Sequence, residues 1–319
     1  MIAQSNVSYD DLITMMALSI WIYDFGRNVK PSDSVSSFKY GIQSAHLNRD
    51  STEALERVLE TQKTGYVVKY IDDITNGMQC IISLNPTTKK IYVTFRGSND
   101  LISWLMGWKA FKIHLFNTIY VHSGILDLID IHQTVLFRTI DNLLLANPTY
   151  DIVTTGHSTG GALATLFGYL IADRIQNSLT KVKIVTFGSP RVGSFNFRRA
   201  VEMLPNLTCV RVTNNRDLYT ALPICFYYHV GSTVVHLQKS GFTVYENYAY
   251  SLGKFSLFQC HSASDHSVAS YWTALRHNAS GTANSSTNYT TDSSSSANSS
   301  EVLGMRELLL PAAGGVQMY

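Results

Sequence analysis

The sequence predicts an α/β fold in which helices cover both faces of a largely parallel central sheet. From residue 65 onward, short strand patterns alternate with helical patterns of about ten or more residues, and parallel strands need crossovers of that kind. The runs 151–155 and 182–187 carry almost no charge except at their ends, as strands do when helices cover both faces. The 319 residues, 45% of them hydrophobic, are enough for one large core.

The first part of the chain predicts helices. Residues 9–25 have an amphipathic pattern, and Ser8 with Asp11 resembles a capping box in which Asp replaces the usual Glu. Residues 31–50 are polar and serine-rich, which predicts a loop, and residues 52–63 predict a second helix.

The elements of the α/β part follow from runs of β-branched and aromatic residues bounded by turn residues, with longer helical patterns between them. We expect strands at 65–71, 78–84, 90–95, 151–155, 182–187, 208–213 and 227–237. We expect helices at 124–146, 159–177, 195–203 and 265–277.

Three regions are therefore expected. Residues 1–64 form a helical segment that packs on the main domain, residues 65–277 form that domain, and residues 278–319 form a disordered tail rich in Ser, Thr and Asn. The tail contains Asn-x-Ser/Thr triplets, which such a composition produces by chance, and we interpret them so. The first apolar run follows Asp10 and Asp11 rather than a basic region, so no secretory signal is expected, and an intracellular location is favoured over a secreted one.

Composition excludes several function classes. The 25 basic and 23 acidic residues give a formal net charge of +2, which gives no reason to expect a nucleic acid or an acidic partner. No apolar run reaches the roughly eighteen residues that a transmembrane helix needs. The four cysteines form no CxxC pair, so neither a metal site nor a cofactor is expected, while two disulfides and four free thiols both stay open (Cys80, Cys209, Cys225, Cys260).

Ser158 is a candidate nucleophile. It stands in the sequence GHSTG between a predicted strand and a predicted helix, which is the order of a nucleophile elbow. The glycines on either side would keep side chains out of a crowded turn. A serine that only caps the helix is the alternative for this stretch.

A serine hydroxyl needs a base and an orienting acid, and in this fold class the acid precedes the base in the chain. Asp217 follows the predicted strand 208–213 and is the candidate acid, with an ordinary turn aspartate as the alternative. Four histidines follow it within the folded part, His229, His236, His261 and His266, and His277 lies at the junction with the tail. His266 is favoured because it lies in a polar loop at an expected helix start, whereas His229 and His236 lie within a strand pattern.

The reaction also needs hydrogen-bond donors for an oxyanion. Thr159, directly after the serine, offers one backbone N–H. Ser98, which follows the predicted strand 90–95 in the sequence FRGS, offers a backbone N–H and a hydroxyl. Taken alone, that second stretch is also compatible with a plain strand followed by a turn.

Seven segments occur in the order seen in class 3 lipases, the fungal triacylglycerol lipase family of α/β-hydrolases: VTFRGS, VHSGIL, TTGHSTGGALATL, VTFGSPRVG, RVTNNRDLYTALP, YYHVG and DHSVASY. The chain resembles that family over about residues 65–275. The resemblance implies an α/β-hydrolase fold in which Ser158 is the nucleophile, Asp217 the acid and His266 the base. It also implies that Ser98 and Thr159 form the oxyanion hole. The family most often has Leu where this chain has Thr159.

The function that the resemblance implies is a serine carboxylester hydrolase, a lipase that cleaves acyl esters of glycerolipids, in particular triacylglycerol. A phospholipase A1 or another acylhydrolase on the same fold is one alternative, and a catalytically silent lipase-like binding protein is another. A lid is expected at residues 100–116, where Trp104 and Trp108 would contact a lipid surface transiently or line an acyl pocket. A buried amphipathic helix is the alternative there. Six aromatic residues at 242–258 could wall the same pocket or simply pack.

Overall fold

A computed structural model of the chain describes residues 8–24, 33–35, 46–73, 75–98, 112–116, 118–176, 179–224, 226–238, 241–245 and 260–280. The described helices are α1 (Tyr9–Asp24), α2 (Arg49–Thr61), α3 (Ser123–Ala146), α4 (Thr159–Arg174), α5 (Phe195–Met203) and α6 (Val268–Ser280). The strands are β1 (Tyr66–Asp73), β2 (Met78–Asn85), β3 (Lys90–Phe95), β4 (Lys112–Phe116), β5 (Ile119–His122), β6 (Asp151–His157), β7 (Val182–Phe187), β8 (Leu207–Asn214), β9 (Thr233–Gln238) and β10 (Gly241–Tyr245).

Within these ranges, eight strands form one sheet in the order β1-β2-β3-β6-β7-β8-β9-β10. Within this sheet, neighbours pair in parallel along β3, β6, β7, β8 and β9, whereas β1, β2 and β10 add antiparallel pairings at the two sides. The predicted largely parallel sheet is thus confirmed. The carboxyl ends of parallel strands meet at one edge, so the segments after β3, β6 and β8 converge there.

Helices cover both faces of the sheet, as predicted. On one face, Leu136 of α3 and Leu163 of α4 pack with Ile82 of β2 in one apolar cluster. On the other, Met15 of α1 and Trp272 of α6 pack in a second cluster that also contains strand residues of the opposite parity. Successive residues of a strand contribute to the two clusters in turn, so each strand stabilises both layers. Each fully buried large aliphatic side chain contributes about 1.5–3 kcal/mol.

Helix α1 runs along the sheet from its amino edge to its carboxyl edge. At its start, the Asp11 carboxylate lies 3.0 Å from Lys90 Nζ and 3.4 Å from Lys183 Nζ, at the beginnings of β3 and β7. The Tyr9 hydroxyl donates to the carbonyl oxygen of Leu275 in α6. With its start fixed in this way, the helix carries Tyr23 to the edge where the parallel strands end.

Some predicted boundaries differ from the structure, and some strands were not predicted. Helix α2 begins at Arg49, inside the predicted loop 31–50, because the Asn48 side chain accepts the Ser51 N–H and caps it. Helix α6 extends to Ser280, beyond the expected start of the tail at residue 278. The β4–β5 hairpin and β10 were not predicted as strands.

The strand prediction for residues 227–237 is wrong in its first half, since β9 begins at Thr233. Gly231 has a φ of 80°, which interrupts extended backbone, and a Cβ there would lie 2.8 Å from the Cys209 carbonyl oxygen. The pattern of β-branched and aromatic residues therefore covered a turn as well as a strand.

Cys80, Cys209 and Cys260 are buried free thiols, and Cys225 lies outside the described residues. Across the described ranges, no group of three or more His, Cys, Asp or Glu side chains is arranged to hold a metal ion. None of the described helices is both long and apolar enough to cross a bilayer.

Candidate active site

Ser158 occupies a strained turn between β6 and α4. Its φ of 61° and ψ of −131° are costly for a residue with a Cβ, about 1–3 kcal/mol. The Ser158 N–H donates to the carbonyl oxygen of Phe187 at the end of β7, 2.9 Å away. Pairing of β6 with β3 and β7 on its two sides holds the conformation.

The glycines around Ser158 allow this turn to pack against β3. A Cβ on Gly156 would lie 2.5 Å from the carbonyl carbon of Gly160, and one on Gly160 would lie 2.2 Å from the Phe95 oxygen. Both distances are well below van der Waals contact. The helix start is therefore pressed against the end of β3, and the serine stands above the sheet.

Ser158, His266 and Asp217 form one hydrogen-bonded chain. His266 Nε2 lies 2.9 Å from Ser158 Oγ, and His266 Nδ1 lies 2.8 Å from Asp217 Oδ2 and 3.0 Å from Oδ1. A carboxylate only accepts hydrogen bonds, so Nδ1 carries the proton and Nε2 presents its lone pair to the serine hydroxyl. The arrangement leaves the serine hydroxyl facing a base whose ring is oriented by an acid.

Asp217 is buried, with 1% of its surface exposed, and further donors hold it. The Tyr271 hydroxyl donates to Oδ2 at 2.6 Å, and the Tyr219 N–H donates to Oδ1 at 2.9 Å. Burial, followed by the charge of Asp217, raises the pKa of Tyr271 well above its ordinary value, so its hydroxyl keeps the proton that it donates. These bonds compensate the carboxylate for the water that it loses.

His266 lies in a short 3₁₀ turn, Ser264–His266, rather than at the expected start of the helix, which begins two residues later at Val268. The Tyr219 ring packs on its imidazole with a centroid separation of 4.1 Å. Asp265 accepts the Arg216 N–H at 3.1 Å and so ties the loop of the base to the loop of the acid.

The other candidate histidines point elsewhere. His229 Nε2 lies 2.6 Å from the Thr220 carbonyl oxygen, and His236 Nδ1 lies 2.9 Å from the Thr213 hydroxyl. His261 is exposed. The ring nitrogens of His229 and His236 are thus bonded to Thr220 and Thr213 and not to Ser158.

Ser98 and Thr159 meet beside the serine, and their contact was not foreseen. The Ser98 N–H donates to the side-chain Oγ1 of Thr159 at 2.5 Å, so the residue that replaces the usual Leu joins the β3 loop to the start of α4.

The expected lid residues Trp104 and Trp108 lie outside the described residues, as does most of the aromatic stretch 242–258.

Two histidines, the buried His157 and the half-buried His229, are held neutral. Burial, followed by repulsion from His266, lowers the pKa of His157 well below its ordinary value. Burial, followed by repulsion from Arg211 and Arg191, does the same to the pKa of His229.

The structure also brings in residues that sequence reasoning missed. Tyr271 and Tyr219 contact the acid and the base, and the His157 ring packs on the base with a centroid separation of 4.7 Å. His157 precedes the serine directly, so its position was visible in the sequence while its contacts were not.

Comparisons with known proteins find similarity to lipases. Residues 92–227 match the family model described as Lipase (class 3). The chain is 34% identical over 164 residues to a lipase of Caenorhabditis elegans, covering 48% of this chain and 44% of the relative. It is 28% identical over 209 residues to a phospholipase A1-II of Oryza sativa subsp. indica, covering 55% and 47%. The crystal structure of a lipase from Rhizopus microsporus var. chinensis superposes with a TM-score of 0.66 at 22% identity, covering 83% of this chain and 88% of that one.

The structural likeness shows the α/β-hydrolase fold, which confirms that prediction. The chain spans less than half the length of each of these two curated relatives.

A first prediction concerns the turn. Gly160→Ala places a methyl group against the Phe95 carbonyl oxygen, so β3 or α4 must move, and we expect a loss of several kcal/mol in the free energy of unfolding, about 3 or more. Gly77→Ala is the matched control: its φ of 80° costs about 1–2 kcal/mol, but nothing lies within 4 Å. Urea unfolding of both variants measures the difference. Equal losses in the two would contradict the close packing described for the turn.

A second prediction concerns pH. The unfolded chain binds protons on His157 and His229 below about pH 6.5, whereas the folded chain, with both pKa values lowered, does not. Stability present above that pH is therefore lost as the pH falls toward 5, by up to about 1.4 kcal/mol per pH unit for each histidine. His229→Gln should lower the slope in urea unfolding by up to about 1.4 kcal/mol per pH unit. An unchanged slope in that variant would show that His229 is not held neutral.

Proposed function

Since residues 92–227 match the class 3 lipase family model, we propose that the chain is a serine carboxylester hydrolase that cleaves acyl esters of glycerolipids. The observation that carries this proposal is the hydrogen-bonded chain from Ser158 through His266 to Asp217 at a strained turn. No cofactor enters the proposed reaction.

In the first half of the reaction, Ser158 Oγ attacks the ester carbonyl carbon while His266 Nε2 takes the hydroxyl proton. The distance of 2.9 Å between these atoms suits direct proton transfer. Asp217 keeps the imidazole oriented and stabilises the imidazolium that forms. His266 then returns the proton to the leaving alcohol, and the acyl group remains on Ser158 as an ester.

In the second half, water attacks the acyl-enzyme, again with His266 as the base, and releases the acid and free Ser158. The Thr159 N–H, at the first turn of α4, is the proposed donor to the oxyanion in both halves, with Ser98 as its partner. The bond from the Ser98 N–H to Thr159 Oγ1 holds Ser98, which supplies the second oxyanion donor, beside the Thr159 N–H.

A catalytically silent relative is the alternative of a different class. A binding protein has no need for a serine held at an unfavourable φ with a base and a buried acid behind it. In a binding protein that backbone strain would lower the stability of the fold and serve no function, so its presence favours an enzyme.

Triacylglycerol is the proposed substrate, and a phospholipid cleaved at one acyl ester is the second candidate because a relative is described as a phospholipase A1. The triad acts on the ester carbonyl and does not distinguish the head group. Contact with a lipid surface through a lid at residues 100–116 belongs to the same proposal.

A third prediction tests the nucleophile. Ser158→Ala should lower turnover by roughly 10⁴–10⁶-fold, because the members of a triad act as a unit. Steady-state hydrolysis of triacylglycerol, diacylglycerol, phosphatidylcholine and short p-nitrophenyl esters measures the loss, with each lipid above and below the concentration at which it forms an interface. His261→Ala, which alters an exposed histidine of the same loop, is the control and should keep wild-type turnover.

Near-normal hydrolysis by Ser158→Ala would contradict the proposed function. Hydrolysis of every panel member at the uncatalysed rate by the wild-type chain would favour the silent binding protein. A rate increase at the interface would support the lid, and its absence would indicate a plain esterase.

A fourth prediction tests the Thr159 side chain. Thr159→Val keeps the shape but removes the acceptor of the Ser98 N–H, so the second donor loses its support. We expect kcat on a soluble p-nitrophenyl ester to fall about five- to tenfold, in line with one neutral hydrogen bond. Thr159→Ser keeps the hydroxyl and should retain most of the activity. A faster Thr159→Val enzyme would show instead that the hydroxyl competes with the oxyanion for the Ser98 N–H.

A further inference from the structure

We propose that Tyr23 of α1 and His157 form a positioning relay that fixes the backbone of the catalytic base against the oxyanion loop. The inference rests on the proposed function and assigns part of the reaction geometry to the N-terminal helix. Neither residue touches the reacting atoms, so both are positioning residues.

The relay consists of two measured hydrogen bonds. The Tyr23 hydroxyl lies 3.0 Å from His157 Nδ1, and His157 Nε2 lies 2.7 Å from the backbone carbonyl oxygen of His266. The bonds join α1, the end of β6 and the turn of the base, which are more than a hundred residues apart along the chain.

The direction of each bond follows from the partners. A carbonyl oxygen only accepts, so His157 Nε2 carries the proton and Nδ1 accepts from the Tyr23 hydroxyl. The neutral imidazole of His157, whose pKa burial lowers, is the form that this pattern requires. A second proton on Nδ1 would reverse the direction of this bond, with the Tyr23 oxygen as the acceptor.

The same Tyr23 hydroxyl also reaches the oxyanion loop. The Tyr23 oxygen packs against the backbone of Gly97, next to Ser98. That contact is close enough that a Cβ on Gly97 would lie 2.3 Å from it. The Arg96 guanidinium packs over the Tyr23 ring at 5.3 Å from its centroid.

One hydroxyl thus contacts the loop of the oxyanion donors and, through one imidazole, the backbone of the base. His157 is also the residue before the nucleophile, and its ring lies against the His266 ring at 4.7 Å. Loss of the hydroxyl would let the base and the oxyanion loop shift relative to Ser158. Misplacement of the catalytic groups lowers the rate of the chemical step even when the fold is kept.

Helix α1 supplies a matched control. Tyr9 lies in the same helix and also donates its hydroxyl, but its acceptor is the backbone carbonyl oxygen of Leu275 in α6. Tyr9→Phe and Tyr23→Phe therefore remove the same atom from the same helix. Both should lower the melting temperature of the full chain, whereas only Tyr23→Phe should slow the reaction at Ser158.

The test is the rate at which a fluorophosphonate probe modifies Ser158 in the full chain, followed by intact mass from pH 6 to 9. We expect Tyr23→Phe to react about five- to tenfold more slowly than wild type at each pH, from the loss of the hydrogen bond between the Tyr23 hydroxyl and His157 Nδ1. Tyr9→Phe should react at the wild-type rate. His157→Gln, which removes the acceptor for the Tyr23 hydroxyl, should be slowed like Tyr23→Phe and decides the matter if Tyr23→Phe does not fold.

The outcomes separate the relay from the function that it serves. Wild-type reaction rates in both folded relay variants would overturn the relay and leave the proposed function intact, as would an equal slowing in Tyr9→Phe and Tyr23→Phe. No modification of Ser158 in the wild-type chain would overturn the proposed function, and the catalytic role of the relay with it.

Discussion

The turn at Ser158 is the constraint on which the rest of the site depends. A serine with a φ of 61° is unfavourable, and it persists because β6 is paired on both sides and because Gly156 and Gly160 leave no side chain between the turn and β3. The strain lifts the hydroxyl above the carboxyl edge of the sheet. The loops after β3 and β8 end at the same edge, so the oxyanion residues and the acid reach the serine without long excursions.

Two histidines lie side by side at this edge, and their partners set their different roles. His266 has a carboxylate on Nδ1 and the serine hydroxyl on Nε2, so it is placed to take up a second proton. His157 bridges a hydroxyl and a carbonyl, is buried, and has a lowered pKa, so it stays neutral and serves as a fixed link. The same side chain is therefore a candidate base in one place and a structural connector in the other, and burial with charge decides which.

The sheet, its helices and the candidate triad could be predicted from the sequence because their signals are local or ordered along the chain. Ser158 stands in a short motif, and Asp217 and His266 follow in the order that the fold requires. Tyr23, by contrast, acts through a partner on β6 that no local pattern reveals. The strand error at 227–232 has a similar cause, since the close approach of Gly231 to Cys209 is a tertiary contact.

The most direct test of the central claim is a crystal structure of the chain after reaction with an alkyl phosphonate. We expect a bond between phosphorus and Ser158 Oγ, with the phosphonyl oxygen about 2.7–3.1 Å from the Thr159 N–H and a Ser98 donor. His266 Nε2 should lie within hydrogen-bond distance of the ester oxygen, with Asp217 still on Nδ1. A phosphonate on another residue, or one on Ser158 whose oxygen points away from Thr159, would contradict the central claim.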